Sequence, residues 1–177
     1  ALGSVLGNRA GPFMTLAKGE DDREVISSRP DKSLSREVTF DQNITAAQQL
    51  YAELQRQVES VTGRLRAEGL VARTIQIKVR DARFRTVTRS RSLAVPTTST
   101  QLVFKQARLL LDKWLDEHLN KPVRLLGVGV RGLEEPDEHG IDYDSATQKT
   151  LDKTVDEIRQ RYGEGKATHA GTLRKGK

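Results

Sequence analysis

The sequence predicts an α+β domain in which a four-stranded antiparallel sheet carries two helices on one face. Segments with apolar residues at every second position read as strands, and two longer segments with apolar residues at i, i+3 and i+4 read as amphipathic helices. Their order between residues 33 and 132 is β-α-β-β-α-β, which places both helices on the same side of the sheet. A short N-terminal helical remnant and a C-terminal helix are expected outside this domain.

The ends of the chain differ from its centre. Apolar residues of segment 1–19 are interrupted by Gly3, Gly7 and Gly11, which favours a short, broken helix. The sequence starts in mid-pattern without an initiator Met, which indicates a fragment of a longer protein. Segment 20–32 is polar, contains proline and is predicted to be a linker.

The first strand and helix are marked by their periodicity and by turn residues. Leu34, Val38 and Phe40 fall at even spacing within a strand predicted from Ser33 to Thr45. Thr45 is the candidate N-cap of a helix over residues 46–67, and Gly69 is expected to end that helix.

The remaining elements follow from the same two periodicities and from Pro96, which is expected to end the third strand. In order, we predict a strand at 70–80, a strand at 84–95, a helix from about Ser99, a strand from Val123 to Val130 and an amphipathic helix near 145–162.

Composition excludes several classes of function. The 177 residues include no cysteine, so disulfides and thiolate metal sites are excluded. This composition is consistent with a reducing compartment without proving one, and the expected location is the cytoplasm. No apolar run approaches the roughly 20 residues of a membrane span, so a membrane is not an expected partner. The formal net charge is +6, yet residues 133–177 carry a net −2 and residues 1–132 a net +8. An anionic partner is therefore expected for the folded body.

The basic charge is concentrated on two predicted strands. Between Arg73 and Arg91 the chain carries seven basic residues and a single acid, Asp81. If Ile75, Ile77 and Val79 face the helices, then Gln76, Lys78 and Arg80 face outward, and Thr86, Thr88, Ser90 and Ser92 form a row of hydroxyls on the next strand. Cations and hydroxyls bind phosphates without reading base identity, so this surface predicts contact with a nucleic-acid backbone.

Two features of this sheet leave alternatives open. Arg89 and Arg91 share the parity of Val87, which belongs in the core, and neither guanidinium can be buried unpaired. A bulge or an edge position would resolve the conflict, and so would ion pairs with body acids such as Glu37 or Asp81. Gly127 and Gly129 leave bare backbone on the outer side of the last strand, for close approach of another backbone or for a bend in the sheet.

Catalytic chemistry finds little support in the residues. The histidines are scattered, and there is no phosphate-binding Gly-Lys-Ser/Thr loop. Asp142 and Asp144 begin like a calcium loop, but Thr147 and Lys153 replace the glycine and glutamate that such a loop requires. Single-strand RNA readers of this topology stack bases on central aromatics, whereas these strands offer only Phe84, at a turn. Duplex backbone binding is therefore favoured over base stacking, and no catalytic or metal residue is predicted.

Four segments in correct order resemble the C-terminal part of Y-family translesion DNA polymerases of the bacterial DNA polymerase IV type. They are residues 2–23, Lys32 to Phe40, Phe84 to Leu93 and Pro122 to Val130. The resemblance implies that 1–19 is the end of a thumb domain, 20–32 a linker, 33–132 a little-finger DNA-binding domain, and 133–177 an acidic linker with an amphipathic helix.

The family is a group of template-directed polymerases that copy past damaged bases. Its metal-binding carboxylates lie in a palm domain that precedes every segment found here, so Mg²⁺ is expected in the parent protein and no cofactor in this fragment. The fragment alone is expected to be inactive as a nucleotidyltransferase.

The resemblance also implies a partner, the backbone of duplex primer–template DNA. Together with the outward-facing side chains of the second strand, the predicted DNA-binding residues are Ser33, Arg36, Lys78, Arg80, Thr86, Thr88, Arg89, Ser90, Arg91 and Arg124. Relatives place arginines where this chain has Leu125 and Gly129, so contacts of the last strand would have to come from backbone N–H groups or Arg131.

A sliding clamp is a further family partner, but no clear clamp motif is present. Segment 134–144 lacks the Gln-Leu-x-Leu-Phe pattern, and the loose match Gln101 to Phe104 has its apolar residues on the core side of a helix. A second function therefore stays open, a non-catalytic polymerase-like adaptor that binds DNA and recruits proteins through its tail. Palm carboxylates upstream of Ala1 would separate the two.

Overall fold

The computed structural model describes residues 2–21, 23–24, 33–136, 146–163 and 167. Its contacts divide the chain into two units, Ala1–Pro30 and Asp31–Lys177. The first unit contains helix α1 (Leu2–Leu6), a 3-10 turn (Gly7–Arg9) and helix α2 (Ala10–Ala17). This confirms the predicted broken helix, and Val5, Phe13 and Met14 remain exposed because so short a segment buries no core of its own.

The second unit has the predicted order of elements. These are β1 (Ser33–Ile44), α3 (Ala47–Ala67), β2 (Val71–Asp81), β3 (Thr86–Thr97), α4 (Thr100–Glu117), β4 (Val123–Glu134) and α5 (Ala146–Tyr162). The four strands form one sheet in the order β1-β4-β2-β3, and every neighbouring pair is antiparallel. The α+β prediction is therefore confirmed, with β2 and β4 at the centre and β1 and β3 at the edges.

The core lies between one face of the sheet and helices α3 and α4. Ile75, Ile77 and Val79 of β2 are opposite Val130, Val128 and Leu126 of β4, and all six side chains are buried. The helices cover them with a row of apolar side chains at helical spacing: Leu50, Leu54, Val58, Val61 and Leu65 from α3, and Val103, Ala107, Leu111 and Trp114 from α4. Burial of this kind stabilises by about 25 cal/mol per Å² of apolar surface, which fixes the register of the central strands.

Three predicted boundaries are corrected. Strand β3 continues through Pro96 to Thr97, because Pro96 lies on an edge strand between Ser92 and Thr97, where the register with β2 shifts. Strand β4 extends to Glu134 instead of ending at Val130. Thr45 is not the N-cap of α3, because Ala46 holds that position without a side-chain hydrogen bond.

Two other predicted helix ends are confirmed. Ser99 caps α4, where its hydroxyl oxygen accepts a hydrogen bond from the amide of Leu102. Gly69 follows the C-cap of α3 with φ +67°, a conformation that glycine adopts without steric cost.

The glycines of β4 accommodate the neighbouring strand. A Cβ placed on Gly127 would lie 2.8 Å from the Cβ of Glu37 and 3.3 Å from the carbonyl oxygen of Arg36. At Gly129 the same atom would lie 3.0 Å from the Cβ of Ser35. Opposed Cβ atoms ordinarily stand about 4.5–5.5 Å apart, so β1 and β4 converge on this face of the sheet. Of the two explanations left open, the close approach of a backbone is the one observed, and the backbone is that of β1.

Helix α5 is held against α3 by ion pairs. The guanidinium of Arg66 donates to both carboxylate oxygens of Asp156, at 2.6 and 2.9 Å, and lies 3.4 Å from Asp152. The buried Asp152 also accepts a hydrogen bond from the amide of Thr100, in the first turn of α4. Helix α5 therefore packs on the helical side of the sheet. None of the described helices is both long enough and apolar enough to cross a bilayer.

Replacement of Gly127 by Ala should destabilise the domain by about 1–3 kcal/mol, because the added methyl group overlaps the Cβ of Glu37. Urea unfolding of the chain measures this cost. In a Glu37→Gly background the same replacement should cost less, with a coupling of at least about 0.5 kcal/mol. Equal costs in both backgrounds would show that the convergence of β1 and β4 is not what requires a glycine there.

Candidate nucleic-acid interface

The side of the sheet opposite α3 and α4 is hereafter called the open face. Strand register places four residues of each strand on it: Ser33, Ser35, Glu37 and Thr39 from β1, Leu125, Gly127, Gly129 and Arg131 from β4, Thr74, Gln76, Lys78 and Arg80 from β2, and Thr86, Thr88, Ser90 and Ser92 from β3. Hydroxyls and cations make up most of this surface, because Leu125, Gly127 and Gly129 are buried among their neighbours. Such groups suit the contact of phosphates rather than the burial of an apolar partner.

Three hydrogen bonds between side chains order the open face. Arg80 Nε donates to Thr86 Oγ1 at 2.8 Å, and the hydroxyls of Thr74 and Ser92 lie 2.9 Å apart. Lys78 Nζ donates to Glu37 Oε2 at 2.8 Å. Glu37 is an acid that the sequence pattern did not place on this face, because it comes from β1, two strands away from Lys78 in the sheet.

Six of the ten predicted DNA-binding residues lie together on the open face. They are Ser33, Lys78, Arg80, Thr86, Thr88 and Ser90. Arg131 adds an exposed cation between Ser33 of β1 and Thr74 of β2. The alternation of side chains along β2 and β3 was the signal that located this group.

Arg36 and Arg89 point to the other side of the sheet. Arg36 lies on the same side of β1 as Leu34 and Val38, and its Nη1 donates to Ser60 Oγ of α3 at 2.8 Å. The contact of Arg36 and Arg89 with DNA stays a prediction.

Arg89 lies opposite the buried Ile77, where its guanidinium forms an ion pair with Glu117 at the end of α4. Its Nη1 is 3.1 Å from Glu117 Oε1, and this hydrogen bond holds the pKa of Glu117 below its ordinary value. Of the explanations left open for this strand, an edge position with an ion pair is observed. The partner is Glu117 rather than Glu37 or Asp81, and no sequence signal linked β3 to that residue.

Arg91 is opposite Ile75, on the same side of the sheet as Arg89. Its side chain is exposed at the edge of the sheet, and no ion-pair partner is found for it in the described part of the chain. Since β3 has no further strand beside it, the edge of the sheet leaves room for this long side chain to curl toward the rim of the open face.

The turn between β2 and β3 is fixed by Asp81. Its Oδ1 accepts hydrogen bonds from the amides of Arg83 and Arg85, at 2.9 and 3.0 Å, and its Oδ2 accepts one from Arg85 Nε at 3.0 Å. Burial alone would raise the pKa of Asp81, but these hydrogen bonds outweigh it and hold the pKa below the ordinary value. The amide of Ala82 donates to the carbonyl of Pro122 at 3.1 Å and ties the turn to the start of β4.

Phe84 occupies the tip of this turn. Its φ is +63°, a left-handed conformation that costs a residue other than glycine about 1–2 kcal/mol, and 64 % of its surface is exposed. The guanidinium of Arg124 lies over the ring, 4.8 Å from its centre. Arg124, the tenth predicted residue, is therefore placed at the turn beside the open face.

Other sites considered from the sequence are located as follows. No group of three or more His, Asp or Glu side chains suited to a metal ion occurs among the described residues. The calcium-like Asp142 and Asp144, and most of the segment searched for a clamp motif, lie outside those residues. In the loose match Gln101 to Phe104, Val103 is fully buried in the core. A cavity between α3 and α5 is lined by residues such as Gly63 and Asp156 and does not lie on the open face.

Comparison with known proteins identifies the family of this chain. The model of the impB/mucB/samB family C-terminal domain matches residues 31–143. A DNA polymerase IV of Dehalococcoides mccartyi is 37 % identical over 163 residues, covering 92 % of this chain and 42 % of the relative. DNA polymerase IV 1 of Mesorhizobium japonicum is 32 % identical over 171 residues, covering 94 % of this chain and 37 % of the relative. The chain thus spans about two fifths of the length of these relatives.

Solved structures show the same fold. A Y-family DNA polymerase chimera of Dbh and Dpo4 superposes with a TM-score of 0.59 at 17 % identity, over 76 % of this chain and 38 % of the other. The insertion ternary complex of Dbh DNA polymerase superposes with a TM-score of 0.54 at 15 % identity, over the same shares. With the family model and the relatives, this fold confirms the resemblance to the C-terminal region of Y-family DNA polymerases, and the chain belongs to the impB/mucB/samB family, whose C-terminal domain it carries.

Proposed function

We propose that residues 33–134 are the little-finger domain of a translesion DNA polymerase and that the open face holds the backbone of duplex primer–template DNA during bypass of damaged bases. The observation that carries the proposal is the open face itself, where Lys78, Arg80 and Arg131 lie among hydroxyls on a rigid sheet. The names of the relatives support the polymerase, since the matched proteins are called DNA polymerase IV. In a bacterium such an enzyme works in the cytoplasm.

The open face suits a sequence-independent grip. Side chains on one face of a strand recur about every 6.6 Å, and neighbouring strands stand about 4.8 Å apart, so the donors form a two-dimensional grid. Hydroxyl and backbone N–H donors fix the position of a phosphate without reading the base, and the cations add attraction through the release of counterions. Gly127 and Gly129 add no contact of their own, because both are buried and the Cβ atoms of Glu37 and Ser35 stand against them.

Glu37 weakens the attraction of the open face for phosphates. Its carboxylate neutralises Lys78 on the open face, and a phosphate that approaches Lys78 must compete with it. Since the side chain of Glu37 is half exposed, the competing ion pair is worth little in water and is easily exchanged.

The four predicted residues outside the open face have different places in this proposal. Arg91 and Arg124 lie at its rim, from which their long side chains reach the same DNA backbone. Arg36 and Arg89 are engaged with Ser60 and Glu117, so their contact with DNA requires those bonds to be exchanged.

The alternative function is that of a non-catalytic adaptor that keeps the DNA grip and recruits proteins through its tail. Polymerase chemistry would reside in the palm of the parent protein, where carboxylates hold Mg²⁺ to activate the primer hydroxyl and the incoming phosphates.

The parent protein should therefore extend a primer past a damaged template base, and deletion of residues 31–177 should reduce this extension because the grip is lost. A parent protein that binds DNA but extends no primer would favour the adaptor.

Binding of the chain to duplex DNA should be weak, independent of sequence and strongly dependent on salt. If about five phosphates are neutralised, the logarithm of the binding constant should fall with the logarithm of salt concentration at a slope of roughly −4 to −5. Fluorescence anisotropy with two unrelated duplexes of equal length measures it. A slope near zero, or a strong preference for one sequence, would contradict a backbone grip.

Two double replacements that remove the same charge separate the two faces. Lys78→Ala with Arg80→Ala should flatten the salt slope by about two units, because two phosphate contacts are lost from the open face. Arg36→Ala with Arg89→Ala removes equal charge from the helical side, where Ser60 and Glu117 hold the two guanidinium groups, and should change the slope less. Glu37→Gln, which frees Lys78, should tighten binding.

Melting temperatures of these variants show whether each one remains folded. A larger loss of affinity in the Arg36/Arg89 variant than in the Lys78/Arg80 variant would move the interface to the helical side.

A further inference from the structure

Phe84 has a strained backbone and an exposed ring, and the proposed contact of the open face with DNA gives this ring no role. Its aromatic ring is mostly exposed, its backbone is left-handed, and it contributes nothing to the buried core. A flexible turn would let such a ring fold back onto the protein. This turn is rigid, because Asp81 accepts three hydrogen bonds from it and Ala82 is bonded to Pro122.

The surroundings of the ring define the chemistry of a ligand. One side of the ring is covered by the guanidinium of Arg124, and the turn also carries Arg83 and Arg85. The guanidinium of Arg85 already donates to Asp81, and an apolar protein segment would offer no partner to those of Arg83 and Arg124. A nucleobase satisfies both features, since its flat ring stacks on an aromatic side chain while its phosphates pair with the arginines.

The position of the turn selects the form of the nucleic acid. Arg80 is the last open-face residue of β2, and the turn begins directly after it. If the backbone of a duplex lies on the open face, the nucleotides that follow the held segment therefore lie beside Phe84. Bases inside a duplex are stacked on each other and cannot reach an external ring, so only an unpaired base can stack there.

We propose that Phe84, supported by Arg124, is a stacking site for an unpaired nucleobase of single-stranded DNA that adjoins the duplex held by the open face. Asp81 is the positioning residue, because its hydrogen bonds hold the turn. The location beside the duplex rests on the proposed function, whereas the stacking itself depends only on the turn.

The test uses the 177-residue chain and two probes with equal numbers of phosphates. One is a blunt duplex, and the other is a duplex with a single-stranded overhang that contains 2-aminopurine, whose fluorescence falls when it stacks. Phe84→Gly removes the ring and suits a φ of +63°, so this variant should remain folded with an unchanged or higher melting temperature. Phe84→Trp keeps an aromatic platform and is the matched control.

The wild type should bind the overhang probe more tightly than the blunt duplex and quench its fluorescence. Phe84→Gly should lose at least about fivefold in affinity for the overhang, which corresponds to about 1 kcal/mol of stacking, and should bind the blunt duplex as the wild type does. Phe84→Trp should retain both the quenching and the affinity.

Unchanged binding of the overhang by Phe84→Gly, without loss of quenching, would overturn the stacking site and would indicate that Phe84 serves a protein contact instead. Failure of the proposed function has a different signature, which is that the wild-type chain does not bind the blunt duplex. In that case quenching of a single-stranded 2-aminopurine oligonucleotide by the wild type, and its loss in Phe84→Gly, still decides the stacking site.

Discussion

The whole arrangement depends on the antiparallel pairing of β2 with β4 in one register. That register places Ile75, Ile77 and Val79 opposite three buried residues of β4, beneath α3 and α4. A slip of one residue would exchange the two faces of the sheet, and Lys78 and Arg80 would then enter the core. Because burial of the apolar row forbids this slip, the same interaction that stabilises the fold also displays the cations on the opposite side.

The described helices of the second unit do not cover the open face. In the middle of this face β1 approaches Gly127 and Gly129 closely, and Glu37 and Lys78, which form an ion pair, flank Gly127. Helix α5 is attached to α3 through Arg66 and thus covers the helical side. The turn that carries Phe84 extends the open face at one end, where Arg80 bonds Thr86. Stability and binding are therefore separated onto the two sides of one sheet.

The predictions from sequence succeeded where the signal was local. Alternation along β2 and helical periodicity in α3 and α4 are short-range patterns, and they identified the elements, the buried row and the row of hydroxyls. Contacts between residues distant in the sequence were not found in this way. Strand order decides that Arg89 meets Glu117 and that Glu37 meets Lys78, and the edge position of β3 decides that Pro96 does not end it.

The central claim is that DNA lies on the open face, and the side-chain ¹⁵Nε resonances of the arginines test it most directly. They report on each guanidinium separately, and they can be followed while the chain is titrated with a duplex at low salt. The account predicts that the resonances of Arg80 and Arg131 shift, whereas those of Arg36 and Arg89 stay in place because Ser60 and Glu117 retain them. Shifts confined to Arg36 and Arg89, with Arg80 and Arg131 unchanged, would contradict it.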